Sequence, residues 1–193
     1  MTVDVVRNSL KEAQAALENL LANDRALRDI DHAADVLSAS LRVGGKVMSC
    51  GNGGSMCDAI HFAEELSGRY RNNRKALGAI PISDPAHMTC VANDFGYEFV
   101  FSRFVEAHGR KDDCLLAIST SGASPSILNA AVSAKDHGVT VIGLTGRPES
   151  SLTQLADICI CTPVGKFSDR VQELHIKVLH ILVELVELKL ELA

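Results

Sequence analysis

The 193-residue sequence has no C-x-x-C pair, no run of about 18 apolar residues and no surplus of basic side chains. Lys and Arg number 19 against 24 Asp and Glu, a net charge of -5. No cationic surface is therefore available to displace counterions from nucleic acid or to settle on an anionic membrane. The one dense basic stretch, Arg69 to Lys75, reads as a solvated loop. The most apolar segment, near the C-terminus, is interrupted by Glu184, Glu187 and Lys189, which excludes a membrane span. Met1 to Leu10 carries no basic segment leading into an apolar run, so neither secretion nor organelle import is expected. The six cysteines, at positions 50, 57, 90, 114, 159 and 161, are scattered, several of them inside apolar runs where a thiol behaves as a small hydrophobe. That usage fits a reducing compartment, and the chain is expected to be cytoplasmic.

The composition, 47% hydrophobic and 22% charged, is that of a folded globular protein. The length suits one domain spanning residues 1–193. Val3 to Leu41 reads as two helices: Val6, Leu10, Ala13, Leu17 and Leu20 recur at helical spacing, and Ile30, Ala33, Leu37 and Leu41 resume it after the polar break Asn23-Asp24. From Gly45 the pattern becomes short apolar runs, each followed by a glycine or serine turn and a helical stretch. Strands are predicted at Lys46–Cys50, Gly78–Ile82, Cys114–Ile118, Thr140–Leu144 and Ile158–Cys161. Helices are predicted at Ser55–Leu66, Pro85–Asn93, Glu98–His108, Pro125–His137, Ser151–Ala156 and Asp169–Leu192. This alternation describes an α/β fold, a three-layer, doubly wound sandwich around a five-stranded parallel sheet, with an N-terminal helical pair and a long C-terminal helix. The last helix is apolar almost all round between Val178 and Val186, so it must be buried on several sides. A homo-oligomer using this helix and the pair in residues 1–43 is expected, the alternative being burial within its own domain.

Ligands of such sheets bind beyond the carboxyl ends of the strands, which directs attention to two turns. Cys50-Gly51-Asn52-Gly53-Gly54-Ser55 follows a strand and opens a helix, where glycines allow close backbone approach and free amides attract anions. It has neither the Gly-Lys-Ser/Thr of a nucleotide P-loop nor the spacing of a dinucleotide fingerprint. A plain capping box from Ser55 to Asp58 is the bland alternative. The second turn, Ile118-Ser119-Thr120-Ser121-Gly122-Ala123-Ser124-Pro125, repeats the arrangement with hydroxyls. Either turn alone is ordinary. Two of them at two strand ends suit a phosphate monoester held by hydroxyls, amides and helix dipoles.

His61 and Glu65 stand at i and i+4, hence on one helix face about 6 Å apart along the axis, a spacing that suits a shared divalent metal, an acid/base pair or a simple ion pair. The closing helix adds Asp169, Gln172, Glu173, His175 and His180. Gln172 and His180 are separated by about 12 Å of rise and about 80° of rotation, so one straight helix hardly brings both to one ion. Asp169-x-x-Gln172 also fits a capping box, and His180 among Val178, Leu179, Ile181 and Leu182 also fits a buried structural histidine.

Taken in order, Cys50 to Ser55, His61-Phe62-Ala63-Glu64-Glu65-Leu66, Ala92-Asn93-Asp94-Phe95-Gly96, Ile118 to Gly122 and Asp169-Arg170-Val171-Gln172-Glu173-Leu174-His175 closely resemble the bacterial phosphoheptose isomerases, nearly end to end. The resemblance implies the flavodoxin-like sugar isomerase (SIS) fold and a homotetramer with active sites between subunits. It also implies conversion of sedoheptulose 7-phosphate to glycero-manno-heptose 7-phosphate, the first step toward surface-polysaccharide heptoses. It implies substrate contacts from Asn52, Gly53, Gly54, Asn93, Asp94, Ser119, Thr120, Ser121 and Ser124, with Ser55, Glu65, Arg69, Asp169 and Gln172 as additions. Glu65 and His180 are implied as the acid/base pair, and zinc is implied at His61, Glu65, Gln172 and His180. Two rivals stand beside this reading: a non-catalytic SIS-fold adaptor of a replication initiator, and an isomerase of another sugar phosphate. The carboxylate and imidazole present at Glu65 and His180 favour an enzyme.

Overall fold

The computed structural model describes residues 2–162, 165 and 167–192. Two helices lead, α1 (Thr2–Leu21) and α2 (Asp24–Arg42), separated as expected at Asn23, whose side chain accepts from the Ala26 amide and caps α2. Then follow β1 (Val47–Gly51), α3 (Gly54–Ser67), β2 (Ala79–Pro81), α4 (Pro85–Asp94), a short 3-10 turn (Tyr97–Phe99) and α5 (Ser102–His108). The chain closes with β3 (Cys114–Ser119), α6 (Pro125–Asp136), β4 (Thr140–Thr145), α7 (Ser151–Leu155), β5 (Ile158–Cys161) and α8 (Ser168–Lys189). All strand pairs are parallel, in the order β2-β1-β3-β4-β5.

Alternation along each strand builds two cores. Cys114, Leu116 and Ile118 of β3 pack with α2, α3 and α8, while Leu115 and Ala117 pack with α4 to α7. Both faces are covered, which is why the strands read as continuous apolar runs. Connections leave β1 and β3 in opposite directions, so the crevice of a doubly wound sheet lies between the carboxyl ends of these two strands.

Three expectations need correction. The helix expected over Glu98–His108 is broken: Val100 and Phe101 are both fully buried, and the chain turns there to bring both inward. The last helix needs no partner to cover it. Val178, Leu179, Leu182, Val183 and Val186 are each at most 1% exposed against the chain's own α2, α3 and sheet. Burial of this kind contributes about 1.5–3 kcal/mol per side chain. Exposed apolar residues include Val3, Val6 and Leu10 of α1, and Leu188 near the end of α8. Finally, Arg69 to Lys75 is not uniformly solvated, since the Arg74 side chain is 1% exposed. Among the described residues no helix is long and apolar enough to cross a membrane.

Candidate active site

A cleft of about 350 Å³ opens at the crevice between β1 and β3, lined by Asn52, Gly53, Gly54, Ser55, Ser119, Thr120, Ser124 and Gln172, with Ser168 and Ile118. Among the described residues no lysine or arginine lines it. Gly53 holds φ +56, a backbone state costly for other residues, and a Cβ on Gly54 would sit 2.5 Å from the Gln172 amide. Helix α3 starts from Gly53 and α6 from Ser124, and neither start has a side-chain cap. By contrast, the helices after β2 and β4 are capped by Asp84 and Ser150. Both helix starts at the crevice thus keep donors uncommitted to side chains, which is what an anion requires. The Ser55–Asp58 capping box does not form, because Ser55 already lies inside the helix. Nor does the one at Asp169, since α8 starts from Phe167 without a side-chain cap.

Hydrogen bonds shape both turns. The Ser119 hydroxyl accepts from the Gly122 amide at 3.1 Å and reaches the Ser124 hydroxyl at 3.4 Å. The Ser121 hydroxyl accepts from the Ala123 amide. Asn52 donates to the Ser126 hydroxyl at 3.0 Å and accepts from the Tyr97 hydroxyl at 2.8 Å, tying three segments together. Ser126, Tyr97 and Ser168 were not anticipated; only proximity in sequence to the two turns, to Asp94 and to Asp169 pointed toward them. Asn93 and Asp94 are exposed at the end of α4 and bonded to each other, three residues from Tyr97. Arg69 is exposed and donates to Asn73, and Asp169 is exposed beside Arg170.

The second feature lies farther along α3, where it packs on α8. His61 Nε2 is 3.0 Å from His180 Nε2 and 3.3 Å from Glu65 Oε1, and one ligand atom from each of the three residues falls within 4.8 Å of the others. All three are half-buried. These three side chains could hold a divalent metal ion. Burial first, then the neighbouring His61, pushes the His180 imidazole below its ordinary value, with Glu65 acting the other way. The Tyr70 ring flanks His180 at 5.9 Å between centroids, a neighbour that spacing alone could not reveal. Because α8 is one uninterrupted helix, Gln172 stays at the cleft, against Gly54, about two turns from His180.

One turn along α8 from Gln172, His175 is fully buried, and burial pushes its imidazole down to about 4 against the opposing effect of the Thr145 backbone. Asp58, one turn before His61, is also buried, and burial pushes its carboxyl up to about 6 against the opposing pull of His61.

The SIS domain family matches residues 10–146 of the chain. Phosphoheptose isomerase of Cytophaga hutchinsonii is 54% identical over 187 residues, covering 97% of this chain and 98% of the relative. That of Pectobacterium atrosepticum is 53% identical over 187 residues, covering 97% of each. Among solved structures, a phosphoheptose isomerase from Francisella tularensis superposes with a TM-score of 0.91 at 32% identity, covering 97% of this chain and 99% of that one. The corresponding protein of Neisseria gonorrhoeae superposes with a TM-score of 0.90 at 31% identity, with the same coverage. A doubly wound sheet with uncapped helix starts at its crevice, and near end-to-end identity above one half, place the chain in the phosphoheptose isomerase family of SIS-domain proteins.

Proposed function

We propose that the chain is an aldose–ketose isomerase that converts sedoheptulose 7-phosphate to D-glycero-D-manno-heptose 7-phosphate, the first step toward heptose precursors of lipopolysaccharide or capsule. The observation that carries this reading is the meeting of Glu65 and His180, 115 positions apart in the chain, within one half-buried cluster on α3 and α8. The phosphate binds in the cleft through Asn52, Gly53, Gly54, Ser55, Ser119, Thr120, Ser121 and Ser124, where amides and hydroxyls substitute for a cationic side chain. Asn93, Asp94, Arg69, Asp169 and Gln172 supply further contacts to the sugar as the site closes around it.

The reaction moves a proton between two adjacent carbons while the carbonyl and hydroxyl exchange places. Glu65 takes the proton from the carbon beside the carbonyl and returns it to the neighbouring carbon. His180, neutral because burial lowers its affinity for protons, exchanges protons with the oxygens of the enediolate and assists ring opening. The donor set also suits zinc. The three ligand atoms lie within 4.8 Å of one another, with His61 3.0 Å from His180 and 3.3 Å from Glu65, and imidazole and carboxylate are both zinc ligands. His61, Glu65 and His180 would hold the ion, which when bound polarises a carbonyl and stabilises negative oxygen.

Gln172, the fourth proposed ligand, sits at the cleft of its own chain, outside the His61–Glu65–His180 cluster, and in this reading a neighbouring copy completes the site. The assembly proposed is a homotetramer with sites between subunits, for which the uncovered apolar residues Val3, Val6 and Leu10 of α1 offer contact surface. The whole chain acts as one unit, and its six free thiols suit the cytoplasm. The test is direct: purified protein is stripped with chelator, restored with zinc and incubated with sedoheptulose 7-phosphate while the aldose product is followed. Absence of aldose under every metal condition overturns the reading.

A further inference from the structure

Beyond the end of α3, the guanidinium of Arg74 is almost fully enclosed and commits its donors to two different helices. It donates to the carbonyl of Glu65 at 2.6 Å, of Leu66 at 2.8 Å, and of Gly68 and Lys75 at 3.2 Å. Its Nε donates to Glu187 Oε1 at 2.7 Å, and the two side chains are 1% and 5% exposed. The carbonyls at a helix C-terminus have no partners within the helix and carry its negative dipole end, so a buried cation there is well matched. Glu187 lies on α8 seven residues, or about 10 Å of rise, beyond His180. One side chain therefore ties the turn of α3 that carries Glu65 to the part of α8 that follows His180.

The same segment contains a natural contrast. Arg71, three residues earlier, pairs with Glu184, three residues earlier on α8, at 2.6 Å, but these side chains are 60% and 51% exposed. An exposed pair of this kind contributes little. Buried pairs are also weak as stabilisers, since apolar side chains of similar volume often replace them without loss, yet they fix geometry when their hydrogen bonds are complete. The planar guanidinium fork can serve several carbonyls and a carboxylate together, which an ammonium cannot.

We propose that Arg74 and Glu187 are positioning residues for the isomerisation. Their bond sets the angle at which α3 presents Glu65 and α8 presents His180, without either residue touching substrate. The inference rests on the reading of Glu65 and His180 as the proton-transfer pair. It assigns function to a stretch whose basic composition alone suggests only a solvated loop.

The experiment compares Arg74→Met/Glu187→Met, Arg74→Lys and Arg71→Met with the parent protein and with Glu65→Gln. For each, kcat and KM for sedoheptulose 7-phosphate are measured below the thermal midpoint, with kcat expressed per folded molecule. A small displacement of reacting groups costs up to about 100-fold, so the double variant and Arg74→Lys are expected to lose about 10- to 100-fold in kcat. Their KM should stay within about threefold, because the phosphate turns are untouched, and Arg71→Met should stay within about twofold in both parameters. If the double variant fails to fold, Arg74→Lys decides, since it retains a cation opposite Glu187. A folded variant with kcat within about twofold of the parent, or an equal loss in kcat and in substrate binding, overturns the proposal. If instead Glu65→Gln turns over normally, the acid/base reading itself fails, an outcome distinct from failure of the clamp alone.

Discussion

The cleft between β1 and β3 and the junction between α3 and α8 handle charge in opposite ways. Among the described residues the cleft is lined by hydroxyls, amides and glycines, with no ionised side chain. The junction gathers His61, Glu65 and His180, with Arg71, Arg74, Glu184 and Glu187 around it. An anion that only has to be held is served by backbone dipoles that keep one charge state at every pH. A proton that has to be moved requires side chains whose charge can change. Substitutions of the cleft lining should therefore act on substrate binding, and those of Glu65, His180 and the buried Arg74–Glu187 pair on turnover, while the exposed Arg71–Glu184 pair should affect neither.

The largest expected effect tests the junction. Glu65→Gln keeps shape while removing the base, and should lower kcat by about 10²- to 10⁴-fold with little change in KM or thermal midpoint. Aldose formation at saturating substrate measures it, and near-normal turnover would take Glu65 out of the mechanism. His61→Ala at the same junction should reduce the zinc retained after dialysis, read by metal analysis without reference to activity. Unchanged metal content in that variant would show that the ion, if bound, sits elsewhere.

The buried side of α8 gives the next effect. Unfolded His175 protonates near 6.5 but the folded residue only near 4, so between these values the unfolded chain binds more protons. His175 thus makes stability fall as pH drops through that window, by up to about 3 kcal/mol when complete. Asp58 acts oppositely: its carboxyl rises from 3.8 to about 6, the folded chain holds the extra proton, and stability falls as pH rises through that range. Asp58→Asn removes the opposing slope, and denaturant titrations of this variant between pH 6.5 and 4 should show the His175 loss clearly. A flat profile in that variant would contradict the neutral burial of His175.

A smaller change sharpens the cleft half of the comparison. Ser119→Ala deletes a hydroxyl that accepts from the Gly122 amide and reaches Ser124. KM should rise about tenfold, equivalent to about 1.4 kcal/mol, while kcat changes little. A fall confined to kcat would instead place the turn in the chemistry. The smallest effect expected is on stability in Arg71→Met, whose thermal or urea midpoint should stay close to the parent's because the pair is exposed.

The sheet was legible because parallel strands buried on both faces are bounded apolar runs. Residues 114–118 and 140–144 needed only one further residue each, Ser119 and Thr145, to match β3 and β4. The switch-point turns were legible because two glycine- or serine-rich turns, each ordinary alone, stand between a strand and a helix at two strand ends. The break at Val100 and Phe101 was not, because a turn made to bury two apolar side chains looks locally like a continuing helix. Arg74 was hidden for the same reason in reverse: composition reports a charge, while burial depends on whether carbonyls and a carboxylate converge on it.

From the chain alone came the alternation of strands and helices, the two turns at strand ends and the local pairing of His61 with Glu65, each set by neighbours a few positions apart. The approach of His180 to that pair, the seating of Gln172 against Gly54 and the enclosure of Arg74 were decided only by the packing of α8 on α3. Such contacts follow from how two helices cross over a shared core, a geometry that residue spacing along one chain does not contain.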